Sequence, residues 1–373
     1  MGIVYLDYAA TTPISKNVRD AMVQALDTHW GNPSSQYSLG RQARARVEQA
    51  RQSLGTFFHL PYRVFTFCSG ATEANHAVIL GNSRRIFRAS GKKHLITSAI
   101  EHPSVLEAFR QLESEGFRVS YVPVLETGVV DLEVFEDLLD SDTALVSIMY
   151  VNNETGAIQP LEQIASLLEG QGVFFHSDIV QGLGKSNVYW PDLGLDAFSA
   201  TAHKIYGPKG VGFFYQDPNI PFLPSIKGGH QESDRRAGTE NVQGIIGLEQ
   251  AIMDLNRERD SLAEERLIKF FFDRLDALNI SWEQNGTGGI PSILSLYLPG
   301  MLATQVLIQL DLQGICVSAG SACSAGSVEK SHVLTAMYGK HARVKETIRI
   351  SIGRETSEQA LEILVQELAK IRG

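Results

Sequence analysis

The sequence predicts an α/β fold built on a parallel sheet covered on both faces, joined to a smaller α+β domain. Three observations carry that expectation. Short apolar strands alternate with helical periodicity from Val64 to Tyr215. Several of those strands, such as 144–151, are apolar almost throughout, as strands buried on both faces are. Polar side chains gather just after the strands, where open α/β sheets hold ligands.

Size and composition bound the rest. The 373 residues suffice for two domains of about 100–200 residues each. Hydrophobic residues at 43% support a large core, and 20% charged residues match an ordered globular chain. A net charge of -9 argues against a surface that coats nucleic acid. No apolar run reaches the ~18 residues of a membrane span. The start, Met-Gly-Ile-Val-Tyr-Leu-Asp7, has no basic region followed by a long apolar stretch, so no secretory signal is expected. Three cysteines give no disulfide framework, and reduced thiols in the cytoplasm are the expectation.

In chain order, residues 3–7 read as a strand and 18–26 as a helix. Residues 40–54 read as an exposed helix whose arginines form a solvated face. A strand at 64–68 runs into Ser69-Gly-Ala-Thr72, which opens a helix at Glu73. Backbone N–H groups at such a helix start, with a Thr hydroxyl, bind a phosphate. The strand 95–100 ends at Glu101-His-Pro-Ser104, which opens the next helix. Strand 119–125, helix 131–139 and strand 144–151 follow, the last ending at Asn152-Asn-Glu-Thr-Gly156. Helix 161–168 leads to strand 173–178, with Asp178 at its carboxyl end. After a long glycine-rich loop, 242–278 reads as one or two helices leading to the smaller domain. There, strands at 292–298 and 347–352 and helices at 303–312 and 357–371 are expected.

Lys204 lies between two short apolar strands, in Thr201-Ala-His-Lys-Ile-Tyr-Gly-Pro208. Two readings stand at this point: a desolvated lysine usable as a nucleophile, or a strand-edge lysine with its head in water. Thr201 and His203 supply donors suited to a phosphate. Cys323 sits among small residues, Ser318-Ala-Gly-Ser-Ala-Cys-Ser-Ala-Gly-Ser327, which predicts an exposed, mobile loop. Its thiol reads either as a carrier of reactive sulfur or as an incidental surface group. Cys68 and Cys316 read as buried bystanders. His176 and Asp178 lack further ligands at metal spacing, so no metal is expected.

The motifs together resemble the cysteine desulfurases of the NifS/IscS type, within the class V aminotransferase-like, fold-type I pyridoxal-phosphate enzymes. The resemblance runs from Tyr5-Leu-Asp-Tyr-Ala-Ala-Thr-Thr-Pro13 and Gly31-Asn-Pro-Ser-Ser35 through Ser69-Gly-Ala-Thr-Glu-Ala-Asn75, Glu101-His-Pro103 and Asn152-Asn-Glu-Thr-Gly156. It continues through His176-Ser-Asp178 with Gln181, Ala202-His-Lys204, Arg236-Ala-Gly-Thr-Glu-Asn241, Gly320-Ser-Ala-Cys-Ser324 and Arg349-Ile-Ser-Ile-Gly353.

The resemblance implies a large domain, 13–257, with a mainly parallel seven-stranded sheet between helices. It implies a smaller α+β domain, 1–12 and 258–373, that carries the cysteine. Lys204 would hold pyridoxal 5'-phosphate as a Schiff base and move protons at the substrate. Asp178 would pair with the ring nitrogen, and His102 would stack on the ring and assist proton transfer. Gln181 and Asn153 would sit by the ring hydroxyl, Asn153 also near the substrate carboxylate. The Ala71 backbone, Thr72, Thr201 and His203 would hold the phosphate. Thr239 would reach the phosphate of a neighbouring subunit, which implies a homodimer. Arg349 would bind the carboxylate of L-cysteine, and Cys323 would take its sulfur as a persulfide, leaving L-alanine.

The implied acceptor is a scaffold protein for iron–sulfur cluster assembly or a tRNA thiolase, with no direct nucleic-acid contact and no membrane. The chain stops soon after the last helix, without the tail that longer relatives use for scaffold docking, so tRNA thiolation stands at least level. The loop after Cys323, running through Val328 to His341, resembles the long-loop group. The competing readings are a selenocysteine or cysteine lyase on the same scaffold and, further off, an aminotransferase.

Overall fold

The computed structural model describes residues 2–320 and 330–372. Strand β1 (Val4–Tyr5) and helices α1 (Lys16–Thr28) and α2 (Ser38–Phe58) precede the alternating region. That region runs β2 (Phe65–Cys68), α3 (Ala71–Ser90), β3 (His94–Ser98), α4 (Pro103–Ser114), β4 (Arg118–Val122) and α5 (Leu132–Leu138). It continues with β5 (Thr143–Ser147), α6 (Leu161–Leu168), β6 (Phe174–Asp178), β7 (Ala197–Thr201) and β8 (Gly212–Gln216). The remainder holds α7 (Val242–Met253), α8 (Arg257–Ala277), β9 (Glu283–Gln284), β10 (Ile293–Tyr297) and α9 (Ala303–Leu312). It ends with β11 (Ile315–Cys316), α10 (His332–Tyr338), β12 (Thr347–Ser351) and α11 (Glu358–Arg372).

The expected mainly parallel α/β sheet is present, with seven strands in the order β2-β8-β7-β6-β5-β3-β4. Only β8 runs against its neighbours β2 and β7. Every residue of β2, β3, β5, β6, β7 and β8 is buried, because helices cover both faces. The edge strand β4 instead starts with an exposed Arg118, a charge that discourages further pairing. Phe58, Phe65, Trp190, Phe198 and Phe213 pack ring against ring at the centre of the first core. A second core gathers Phe271, Leu294, Val306, Ile348 and Leu364. Leu6 belongs to this second core and Ala9 to the first, so the N-terminal segment crosses from one to the other. Among the described residues no helix is long and apolar enough to cross a membrane.

Some sequence expectations need correction. The stretch between Val328 and His341 is not all loop, because α10 occupies 332–338, started by the Ser331 hydroxyl accepting from Leu334 N–H. Cys316 is half-buried rather than buried, because β11 pairs only with β1 at the margin of the second core. The arginines of α2 are not a uniform solvated face. Arg51 is 6% exposed, and its guanidinium grips Glu232 through two bonds of 2.7 and 2.9 Å. Glu232 also accepts from Phe67 N–H at 2.8 Å.

That pair holds a strained segment. Glu232, Ser233 and Asp234 have φ of 48°, 55° and 65°, a left-handed run that costs non-glycine residues of order 1–3 kcal/mol each. Removing one partner of a buried pair leaves the other charge uncompensated. Glu232→Ala should therefore lower the unfolding free energy by about 3–5 kcal/mol, measured by chemical denaturation. A loss below ~1 kcal/mol would show that the pair is not needed to hold the segment.

Candidate functional site

The carboxyl ends of β2, β6 and β7, and the turns that follow β3 and β5, surround one cavity of about 540 Å³. Ala9 and Ala10 of the N-terminal segment and Arg349 of β12 complete its wall. Ala71, Thr72, His102, Asn153, Asp178, Gln181, Thr201, His203, Lys204 and Arg349, all expected from the sequence, line it together. Thr239 does not. It is exposed and lines a smaller adjoining cavity that shares Ser69 and Gly210 with the main one. Cys323 lies outside the described residues.

One end of the cavity suits an anion. The 20-residue helix α3 starts at Gly70 without a side-chain cap, so its first N–H groups face the cavity. Gly70 has φ 156°, and a Cβ on Gly212 would come within 2.7 Å of its Cα. Glycine at both positions lets the turn cross close over β8. Thr201 and His203 face the same end. Burial, helped by Lys204, Lys209 and Lys185, drops His203 to a pKa of about 4, so near neutral pH the ring is an uncharged hydrogen-bonding group.

Lys204 is turned inward rather than into water. Its Nζ donates to the carbonyls of Ala9 and Ala10, both at 2.6 Å. The N-terminal segment is itself pinned to this loop. Thr12 donates through N and Oγ1 to His203 O at 2.9 and 3.0 Å, and Thr12 Oγ1 accepts from Tyr206 N–H at 2.7 Å.

Asp178 sits at the end of β6, 5% exposed. Its Oδ2 accepts from Asn75 Nδ2 at 2.8 Å and its Oδ1 from Val180 N–H at 3.0 Å. Asn75 also donates to Ser104 Oγ at 3.0 Å. His102 starts α4, its Nδ1 accepting the Ser104 N–H at 3.1 Å. The neutral ring therefore carries its proton on Nε2. Burial foremost holds the His102 pKa below its ordinary value; Asp178 opposes this, while Lys204 and His332 add to it. The Gln181 amide donates to Ala9 O at 2.9 Å and accepts from Lys185 at 2.5 Å.

Arg349 is buried with its charge already paired. Nη2 donates to Asp7 Oδ1 at 2.8 Å and Nη1 to Asn153 O at 2.9 Å. Asp7 Oδ2 accepts from Ser318 Oγ at 2.8 Å. Arg349 Nε is buried and finds no hydrogen-bond partner among the described residues. Asp7, Asn75 and Ser104 were given no role from the sequence. Asn75 carried a usable signal: it lies one helical turn after Ala71, on the face that looks into the site. Asp7 stood inside the first motif but carried no local sign of its partner, which is 342 residues away.

This set of groups offers an anion cradle, a carboxylate suited to a protonated ring nitrogen, a primary amine and a guanidinium. Comparison with known proteins agrees with it. The family model "Aminotransferase class-V" matches residues 4–364. A putative cysteine desulfurase IscS 1 of Bacillus subtilis is 39% identical over 99% of this chain and 98% of its own length. A solved NifS-like protein superposes with a TM-score of 0.91 at 33% identity, covering 99% of both chains. The structure described as SspA in complex with cysteine gives a TM-score of 0.83 at 32% identity, covering 94% of this chain and 98% of that one.

Glu101, beside His102, is fully buried. Its Oε1 accepts from Ser98 Oγ at 2.6 Å and Met149 N–H at 2.9 Å. Burial, with Asp178 adding to it, lifts its pKa from 4.5 to about 8. The folded chain thus keeps a proton that the unfolded chain releases near 4.5, and stability falls as pH rises between these values. Glu101→Gln keeps the shape and the acceptor but removes the titration. Its stability relative to wild type should climb between pH 4.5 and about 8, read by denaturation at several pH values. A pH-independent difference would refute the buried, protonated state.

Proposed function

Since the chain belongs to the aminotransferase class-V family, on its cysteine desulfurase branch, we propose that it converts L-cysteine to L-alanine with pyridoxal 5'-phosphate and passes the sulfur to Cys323. The observation that carries this reading is the meeting of Lys204, Asp178 and the uncapped start of α3 around one cavity. The residues fit the cofactor. A phosphate would satisfy the open N–H groups of α3, and Arg349, which lines the same cavity, offers a guanidinium to a substrate carboxylate.

When bound, pyridoxal phosphate supplies an electron sink for charge that develops on the substrate. The chain's own residues do the rest. The Ala71 backbone, Thr72, Thr201 and His203 would hold the phosphate, and the Lys204 amine would hold the cofactor covalently. Asp178, oriented by Asn75, would keep the ring nitrogen protonated. His102 would take the ring side of the cofactor and assist proton transfer, and Gln181 and Asn153 would serve its hydroxyl. Arg349, oriented by Asp7, fixes the substrate carboxylate. The Lys204 amine, when free, would move the proton at the substrate α-carbon. The Cys323 thiolate then attacks the substrate sulfur. An S–S bond forms and the C–S bond breaks. Its electron pair stays on carbon, which takes up a proton and leaves as L-alanine. Thr239, exposed and outside the main cavity, serves the phosphate of a second subunit, so the working unit is a homodimer. The persulfide passes to an acceptor for iron–sulfur cluster assembly or tRNA thiolation in the cytoplasm.

The test follows alanine and sulfide together, with L-cysteine and a thiol reductant, in wild type and Cys323→Ala. Wild type should release both in equal amounts, and the variant should bind L-cysteine but release neither. Turnover surviving in the variant would mean that sulfur leaves without Cys323, and the lyase reading would replace this one.

A further inference from the structure

Glu154 is a buried carboxylate that the mechanism above leaves unused, at 1% exposure. It sits in the turn after β5, next to Asn153. Asn152 folds that turn: its Oδ1 accepts from the N–H groups of Glu154 and Thr155 at 2.9 and 3.0 Å. Asn153 thereby lines the cavity and gives its carbonyl to Arg349. The Glu154 carboxylate instead reaches Ser331, whose hydroxyl donates to Oε2 at 2.5 Å. Its Oε1 has no hydrogen-bond partner among the described residues.

Ser331 starts α10 and stands shortly after the segment that bears Cys323. Gly320 stands on the other side of that segment, with φ 61°. A Cβ on Gly320 would lie 3.0 Å from Ser331 Cβ and 3.1 Å from Glu154 Oε2. The two flanking residues therefore meet side by side on this one carboxylate. A second tie holds the same corner, the His332 ring bonding Glu101 O at 2.9 Å.

We propose that Glu154 is a positioning residue for sulfur transfer: by holding Ser331 beside Gly320 and against the Asn153 turn, it fixes the flanks of Cys323 relative to the turn that lines the substrate cavity. The inference rests on the persulfide role of Cys323. Geometry of this kind acts on the transfer step rather than on substrate binding, since Glu154 does not line the cavity. Misplacing a reacting group by about 1 Å costs up to ~100-fold in rate.

The experiment compares Glu154→Ala, Glu154→Gln and Ser331→Ala as cofactor-loaded proteins. Alanine formation from L-cysteine is measured for kcat and KM, and Cys323 alkylation by iodoacetamide is followed by mass spectrometry without substrate. Glu154→Ala and Ser331→Ala should each lower kcat by about 10- to 100-fold and leave KM within ~2-fold. Both should change the rate of Cys323 alkylation. Glu154→Gln, which keeps a bond to Ser331, should restore both quantities. Alanine formation within ~2-fold of wild type in Glu154→Ala and Ser331→Ala would overturn the proposal. So would a loss that appears only in KM or cofactor content with alkylation unchanged. A wild type that makes no alanine from L-cysteine would instead overturn the desulfurase reading itself, which Cys323→Ala tests separately.

Discussion

The ion pair between Asp7 and Arg349 is the contact on which the site's closure depends. Arg349 is on β12 in the second core, while Asp7 belongs to the N-terminal segment that crosses to the first. Around the pair, Ser318 and Arg349 exchange backbone bonds of 3.1 and 2.6 Å, and Ser351 Oγ accepts from Ala9 N–H at 2.8 Å. These contacts bring the carbonyls of Ala9 and Ala10 to the Lys204 Nζ. A buried ion pair contributes little net stability, because desolvation offsets most of the Coulombic gain. Apolar side chains could join the two cores as well. A guanidinium held in place over a ligand cavity is something they cannot supply, so the pair makes physical sense as part of a binding site.

Much of this was legible in the sequence because it rests on local rules. All-apolar strands of the kind seen at 144–151 require burial on both faces, which requires helices on both sides and hence mainly parallel order. That order sends the residues following the strands to one end, where Thr72, His102, Asn153, Asp178 and Lys204 meet. What stayed hidden depends on partners distant in sequence. Arg51 looks like one more surface arginine until Glu232, 181 residues later, folds against it. Helix α10 has only seven residues and owes its start to Ser331 and to the buried Glu154, neither of which leaves a periodic signal. The antiparallel β8 is as apolar as its parallel neighbours, so its direction follows from the short connection after β7 and not from its composition.

The turn at residues 152–156 shows how closely the two cores are coupled. Asn152 donates to Ile100 O at 3.0 Å, so the turn is fastened to the end of the neighbouring β3 region. Gly156 has φ 75°, and a Cβ there would come within 2.9 Å of Ile293 O on β10. Both the backbone conformation and this close approach demand glycine. The turn is thus wedged between the large sheet and the start of β10, the strand that carries Leu294 and Leu296 into the second core, and its successive residues face different ways. Asn152 closes the turn, the Asn153 carbonyl steadies Arg349, and Glu154 holds Ser331. A displacement of β10 relative to the large sheet would press on Gly156 and so reach both contacts at once. The guanidinium that lines the cavity and the flanks of Cys323 are therefore held in one frame, as a substrate gripped at one end and attacked at the other would require.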